Sequence, residues 1–214
     1  YGSRRRHWTA AELHRVAHDA ACGLEHAHRN GLVHRDIAAR NVLLAGVNDL
    51  VAKIADFGLA REMNATELQR ITADTRGAVK WLAPEQHEAR AFGRASDVYS
   101  FGVLLFEVFA QQPPWDGVQP MLAAAKVLQG ERMPIPLSVP LAVRELVAQC
   151  WAQAAADRPG MSAVRQRLHL LLVDSQPAVP AAQLSNEFRG MLYGKCSEHT
   201  TLCTEYVRPK QGAE

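Results

Sequence analysis

Three observations predict a mainly α-helical fold with a small β patch. Apolar residues recur at helical spacing from Leu13 to Ala27. A second stretch, Ser96 to Phe109, is apolar nearly all round, which marks a helix buried at the centre of a domain. Between the two, Asn41-Val42-Leu43-Leu44 and Val51-Ala52-Lys53-Ile54 read as short strands joined by a turn around Gly46–Asp49. Together they describe a helical bundle around a central buried helix, with the strands close to residues 34–41.

Taken in order, residues 1–8 are basic and irregular, with Arg4-Arg5-Arg6, and read as an exposed lead-in. Thr9 followed by Glu12 is a capping-box pattern that starts the first helix. Its buried face is Leu13, Val16, Ala17, Ala20, Ala21, Leu24 and Ala27, and Asn30-Gly31 ends it. His18, His26 and His28 read as surface or groove residues of this helix, since no ligand cluster at zinc spacing accompanies them. From Arg61 to Val79 the chain turns polar and reads as a long loop, a kind that is usually functional or disordered. Ser96 or Asp97 is the expected cap of the central helix, and Gln112-Pro113-Pro114 breaks it. Helices follow at about 118–129 and 139–153, then a turn at Asp157-Arg158-Pro159-Gly160 and a helix from Met161 to Val173. Beyond Asp174 the chain reads as a linker, then a polar, weakly patterned, flexible tail over 174–214.

At 214 residues the chain is long enough for one full-sized domain. It is 48% hydrophobic and 21% charged, ordinary for a globular protein. A net charge of +2 gives no basis for binding nucleic acid or an anionic membrane. The cysteines, Cys22, Cys150, Cys196 and Cys203, form no dense framework and read as reduced thiols. Cys196, His199 and Cys203 match no strong zinc spacing. No apolar run is long enough to span a membrane, and no signal peptide opens the chain. It begins with Tyr1, and so reads as a piece of something longer.

The chemistry concentrates in His34-Arg35-Asp36-Ile37-Ala38-Ala39-Arg40-Asn41, followed by Asp56-Phe57-Gly58 and Ala83-Pro84-Glu85. Phosphoryl transfer needs a carboxylate to orient the attacking hydroxyl and oxygen ligands to hold Mg²⁺ on the phosphates. Asp36, Asn41 and Asp56 are hard oxygen donors of the type Mg²⁺ takes. Gly58, beside the apolar Phe57, permits backbone angles closed to other residues. The three triplets, in this order, resemble the second half of the protein-kinase signature.

The resemblance extends over residues 9–173, which look like the C-terminal lobe of a protein kinase of the tyrosine-kinase group. Trp81-Leu82 before Ala83-Pro84-Glu85, the helix Ser96-Asp97-Val98-Tyr99-Ser100-Phe101-Gly102-Val103, and Cys150-Trp151 followed by Arg158-Pro159 all match that group's pattern. It implies ATP and Mg²⁺ as cofactors and a protein as substrate, with Asp36 accepting the hydroxyl proton and Asn41 and Asp56 binding Mg²⁺. It also implies that His34 and Phe57 stack in a hydrophobic column, that Arg35 pairs with an activation-loop phosphate, and that Asp97 holds the catalytic-loop backbone. Glu85 and Arg158 would form a buried ion pair, of a kind whose loss costs about 3–5 kcal/mol. Ala38 stands where serine/threonine kinases carry Lys, and Arg40 would supply the cation instead. With Val79-Lys80-Trp81 as a substrate shelf, this favours tyrosine; a serine/threonine enzyme of tyrosine-kinase-like type is the alternative.

The sequence also departs from the family. No glycine-rich phosphate loop or Val-Ala-x-Lys strand precedes the catalytic stretch, so the chain holds half of an ATP site and is expected to be weak or inactive alone. Between Gly58 and Ala83 there is no tyrosine. Thr66, Thr72 and Thr75 are the candidate phosphosites there, the alternative being an unregulated loop. In the tail, Glu205-Tyr206-Val207 is a candidate docking site for a phosphotyrosine-reading partner. Two readings follow: the catalytic half of a tyrosine kinase facing the cytosol, free or as part of a receptor, or a catalytically inactive kinase-like scaffold.

Overall fold

The structure, a computed structural model, describes residues 7–46, 50–62, 78–89 and 91–175. The arginine lead-in, most of the polar loop with Thr66, Thr72 and Thr75, and the linker and tail with Tyr206 lie outside the described residues.

Helix α1 (Ala10–Arg29) starts as its capping box requires. Thr9 Oγ1 accepts the Glu12 N–H at 3.2 Å, and Glu12 Oε2 accepts the Thr9 N–H at 2.8 Å. Its apolar stripe, from Val16 to Ala27, is buried. Asn30 caps the other end, and Gly31 turns the chain with a φ of 76° that favours glycine.

The β content is two separate two-stranded ladders, not one patch. Strand β1 (Leu32–Val33) pairs antiparallel with β4 (Arg61–Glu62), and β2 (Val42–Ala45) with β3 (Val51–Ile54), Val42 opposite Ile54. The start of the polar stretch is thus drawn into a strand, because the backbone groups of Leu32 and Val33 offer it a ladder.

The remaining helices are α2 (Pro84–Glu88), α3 (Arg94–Ala110), α4 (Pro120–Leu128), α5 (Leu141–Cys150) and α6 (Met161–Asp174). Helices α4 and α5 are shorter than the periodicity predicts. Pro120 sits in the first turn of α4, where its missing N–H is harmless, and Trp151 caps α5. Helix α3 is central: Val98, Tyr99, Phe101, Val103, Leu104, Leu105 and Phe106 are all buried. Among the described residues, no helix is long and apolar enough to cross a membrane.

The expected cap of α3 is corrected. Gly93 is the N-cap, and the Ser96 hydroxyl one turn in accepts the Gly93 N–H at 2.9 Å and donates to the Gly93 carbonyl at 2.8 Å. Asp97 is therefore free of capping duty and lies inside the helix.

Helices α3 and α5 meet at Gly102. A Cβ there would stand 2.8 Å from Cys150 Cβ and 3.3 Å from the Trp151 backbone nitrogen. Neither atom is the end of a flexible side chain, so the helices would have to separate. Gly102→Ala is expected to destabilise the chain by about 1–3 kcal/mol, although alanine is the better helix former. Urea denaturation of the two proteins checks this; equal midpoints would contradict the contact.

Candidate active site

Helix α3 holds the His34–Asn41 stretch through side-chain bonds to its backbone. Asp97, Ser100, Leu104 and Glu107 lie on one stripe of it, three and four residues apart. The Asp97 carboxylate is 1% exposed and has three donors. Oδ2 accepts the His34 N–H at 2.8 Å and His28 Nε2 at 2.9 Å, and Oδ1 accepts the Arg35 N–H at 2.9 Å. Holding two successive N–H groups bends the chain, and Arg35 takes a φ of 73°, a left-handed conformation rare for a long side chain. His28 is consequently not a surface or groove residue. It is buried, because α1 turns it toward the carboxylate of α3.

The loop then presents Asp36, Arg40 and Asn41 together. Residues Ala39–Asn41 form a short 3₁₀ turn. Arg40 makes an ion pair with Asp36 Oδ1, and Asn41 Nδ2 donates to Asp36 Oδ2 at 2.9 Å and to the Asp36 carbonyl at 2.7 Å. Asn41 thus spends its amide nitrogen on Asp36, leaving Oδ1 as its donor atom toward an ion. Each carboxylate oxygen of Asp36 has two lone-pair directions, so one contact apiece leaves room for a proton donor. The Arg40 guanidinium also lies over the ring of Trp81, 4.6 Å from its centroid.

Asp56 is placed by the peptide groups of Ala55 before it. The Ala55 N–H donates to the Asn41 carbonyl at 2.8 Å, and the Ala55 carbonyl accepts from His34 Nε2 at 3.1 Å. Asp56 emerges exposed, beside Asn41, with a φ of 63°. The unusual angle belongs to Asp56, not to Gly58 as the sequence suggested. Aspartate is among the few side chains that adopt it readily. Gly58 serves another purpose: its N–H donates to Asp56 Oδ1 at 3.3 Å, and a Cβ there would crowd that oxygen at 3.1 Å. The His34 and Phe57 rings lie 4.7 Å apart but are tilted by 58°, so they meet at an angle rather than stacking flat.

The hydrogen bonds also set the protonation of His34. The Asp36 N–H donates to His34 Nδ1 at 3.3 Å, so Nδ1 must be bare while Nε2 carries the hydrogen given to Ala55. Burial lowers its pKa below the ordinary histidine value, against the raising influence of Asp97 and the Ala55 carbonyl. The unfolded chain therefore takes up this proton first as pH falls. Its contribution to stability is complete above about pH 6.5 and is lost as pH drops from there toward the folded value. His87, also lowered chiefly by burial, acts in the same direction. The melting temperature is expected to fall below about pH 6.5, and less steeply in His34→Gln. Parallel profiles for the two proteins would contradict this.

Further out, Glu85 and Arg158 meet in a bidentate pair at 2.7 and 2.8 Å, with the Arg158 side chain fully enclosed. Arg158 and Arg132 both lie over the ring of Tyr99, at 5.1 and 5.2 Å, and burial pushes the Tyr99 hydroxyl up to about 12. The Arg35 guanidinium lies over the Phe92 ring at 4.9 Å.

Sequence reasoning missed two polar side chains at this site, a donor and an acceptor. Ser100 Oγ donates to the Trp81 carbonyl at 2.8 Å, and Glu107 Oε2 receives both the Trp81 indole N–H at 2.8 Å and the Ala39 N–H at 3.0 Å. The available signal was an acid set in the apolar run Leu104-Leu105-Phe106-Glu107-Val108-Phe109.

Comparison with known proteins adds a family to this geometry. The family model for protein tyrosine and serine/threonine kinases matches residues 2–168. Tyrosine-protein kinase SYK of Gallus gallus is 40% identical over 165 residues, covering 76% of this chain and 27% of that protein. Tyrosine-protein kinase Srms of Homo sapiens is 38% identical over 150 residues, 70% of this chain and 30% of the relative. Fibroblast growth factor receptor homolog 1 of Drosophila melanogaster is 36% identical over 171 residues, 77% and 22%. The chain spans less than a third of each of these three relatives.

Proposed function

Because this chain belongs to the protein tyrosine and serine/threonine kinase family, we propose that it forms the catalytic-loop half of an enzyme that phosphorylates protein tyrosine, with residues 9–173 as the lobe and 174–214 as a tail. The observation that carries the proposal is the grouping of Asp36, Arg40 and Asn41 with Asp56 on one backbone framework.

In this reading Asp36 takes the proton from the attacking tyrosine hydroxyl. Asn41 donates to both the side chain and the carbonyl of Asp36, so the base cannot swing away. Arg40 lies on its other oxygen and balances its charge. The donor set fits Mg²⁺, because the Asn41 carboxamide oxygen and the exposed Asp56 carboxylate are hard ligands that leave most positions to phosphate and water. When bound, ATP supplies the phosphoryl group and Mg²⁺ neutralises its charge. Arg35 would meet a phosphate on Thr66, Thr72 or Thr75, and phosphorylated Tyr206 would recruit an arginine-lined partner. The relatives named as tyrosine kinases support tyrosine over serine, and the reading places the domain in the cytosol.

The test is phosphate transfer from ATP to tyrosine and serine peptides by this chain and by the longest native protein that contains it. The native protein is expected to label tyrosine in a Mg²⁺-dependent way. Asp56→Asn, which tolerates the same φ and still accepts from Gly58, is expected to raise the Mg²⁺ concentration needed without altering the fold. A native protein that labels no peptide would overturn the proposal in favour of a scaffold.

A further inference from the structure

The Glu107 carboxylate sits partly buried at the far end of the α3 stripe, about 15 Å along the helix from Asp97. It is not one of the groups that touch the reacting hydroxyl or the phosphates in the reading above. Yet one of its oxygens receives two hydrogen bonds from two separate segments. The Ala39 N–H belongs to the catalytic stretch, directly before Arg40. The Trp81 indole N–H belongs to the 3₁₀ turn Val79–Trp81. The face of that indole carries the Arg40 guanidinium, which in turn pairs with Asp36.

We propose that Glu107 is a positioning residue: it fixes Arg40 against Asp36 through the ring of Trp81, and fixes the rear of the catalytic stretch through Ala39. The inference rests on the kinase reading for its functional part, but its structural part stands alone. Asp97 holds the front of the stretch at His34 and Arg35, and Glu107 holds its rear at Ala39, so one helix grips both sides of Asp36. Trp81 is doubly tied to the same helix, since its carbonyl accepts from Ser100 while its indole donates to Glu107. The ring therefore has little freedom to tilt, and a cation over its face is held in place. Burial raises the Glu107 pKa, while the Trp81 and Ala39 N–H groups and the Arg40 charge favour its ionised form, as expected of a carboxylate kept for its partners.

Because a single oxygen accepts both bonds, an amide at this position can keep them. Glu107→Gln is expected to preserve the arrangement and Glu107→Ala to lose it, a rescue that mere filling of space would not produce. The first measurement is the NMR spectrum of the 214-residue chain, independent of activity. In Glu107→Ala the Trp81 indole resonance is expected to move, and the Arg40 side-chain protons to lose the upfield shift imposed by the ring beneath them. In Glu107→Gln the Arg40 shift persists. Arg40 signals unmoved in the alanine variant, or equal in the two variants, would overturn the proposal. If Glu107→Ala does not fold, Trp81→Phe, which keeps a ring but removes the indole N–H, is the second variant, with Arg40 again as the reporter.

In the native enzyme, Glu107→Ala is expected to lower kcat about a hundredfold, the scale of a misplacement near 1 Å, while KM for ATP stays within about twofold. An active native enzyme whose kcat is unchanged in Glu107→Ala would overturn the positioning role alone. A native protein without any phosphotransfer would instead overturn the kinase reading, and the Arg40 shift would still decide whether Glu107 holds the arginine.

Discussion

Asp97→Ala is expected to be the most destabilising single change in the described part of the chain. It strands the His34 and Arg35 N–H groups and the His28 imidazole N–H, all of which point at a carboxylate that is almost wholly buried. Hydrogen bonds to a charged acceptor contribute about 1.5–3 kcal/mol each, without simple additivity. The loss is expected to reach on the order of 3–5 kcal/mol. It also removes what holds Arg35 at positive φ, so the bend would relax first. Asp97→Asn is a graded control. It keeps one oxygen for His34 and His28 but turns an NH₂ toward the Arg35 N–H, leaving about 1–3 kcal/mol of unsatisfied donor. Urea midpoints for the three proteins should fall in the order wild type, Asn, Ala. Coincident midpoints would show that α3 does not support the loop in this way.

Asp36→Asn is expected to have the largest effect on activity. The isosteric amide fills the same space but no longer has the negative oxygen that would take the hydroxyl proton. Kcat should fall about 10²- to 10⁴-fold, the usual range for a general base. Stability should change little, since the lost ion pair is with an Arg40 side chain that is 41% exposed. A stopped assay on a tyrosine peptide, with a thermal melt of the same sample, separates the two effects. Full activity in the Asn variant would remove Asp36 from the role of base, whereas a collapsed melt would assign it to the fold.

What the sequence made visible depended on how local the physics is. The capping box at Thr9 and the buried stripe of α1 involve neighbours within one or two turns, and both were readable. So were the apolar α3 and the β2–β3 hairpin, whose strands are close in the chain. The β1–β4 ladder was not, because two residues opposite two others carry no periodicity. Among the candidate residues, Asp36, Asn41 and Asp56 stood out as oxygen donors, and Arg40 and Asp97 through the family pattern that the sequence resembles. Their bonding did not. The positive φ at Asp56 rather than Gly58 follows from the Ala55 clamp, and the burial of His28 from where α3 crosses α1. Glu107 was silent for the same reason: an acid in an apolar run acquires meaning only from the indole and amide that fold against it.

The grip of α3 on the catalytic stretch also has a consequence for synthesis. The amides of His34 and Arg35 find their acceptor 63 and 62 residues later in the chain. A ribosome adding about 5–20 residues per second reaches Asp97 roughly 3–12 s after the stretch has been made. During that interval its two amides lack the carboxylate that receives them in the fold, and the left-handed bend at Arg35 is without the bonds that hold it. The first helix can form early from its own sequence, but residues 34–41 must wait for the middle of the chain, and a nascent chain paused in between carries them without the support of α3.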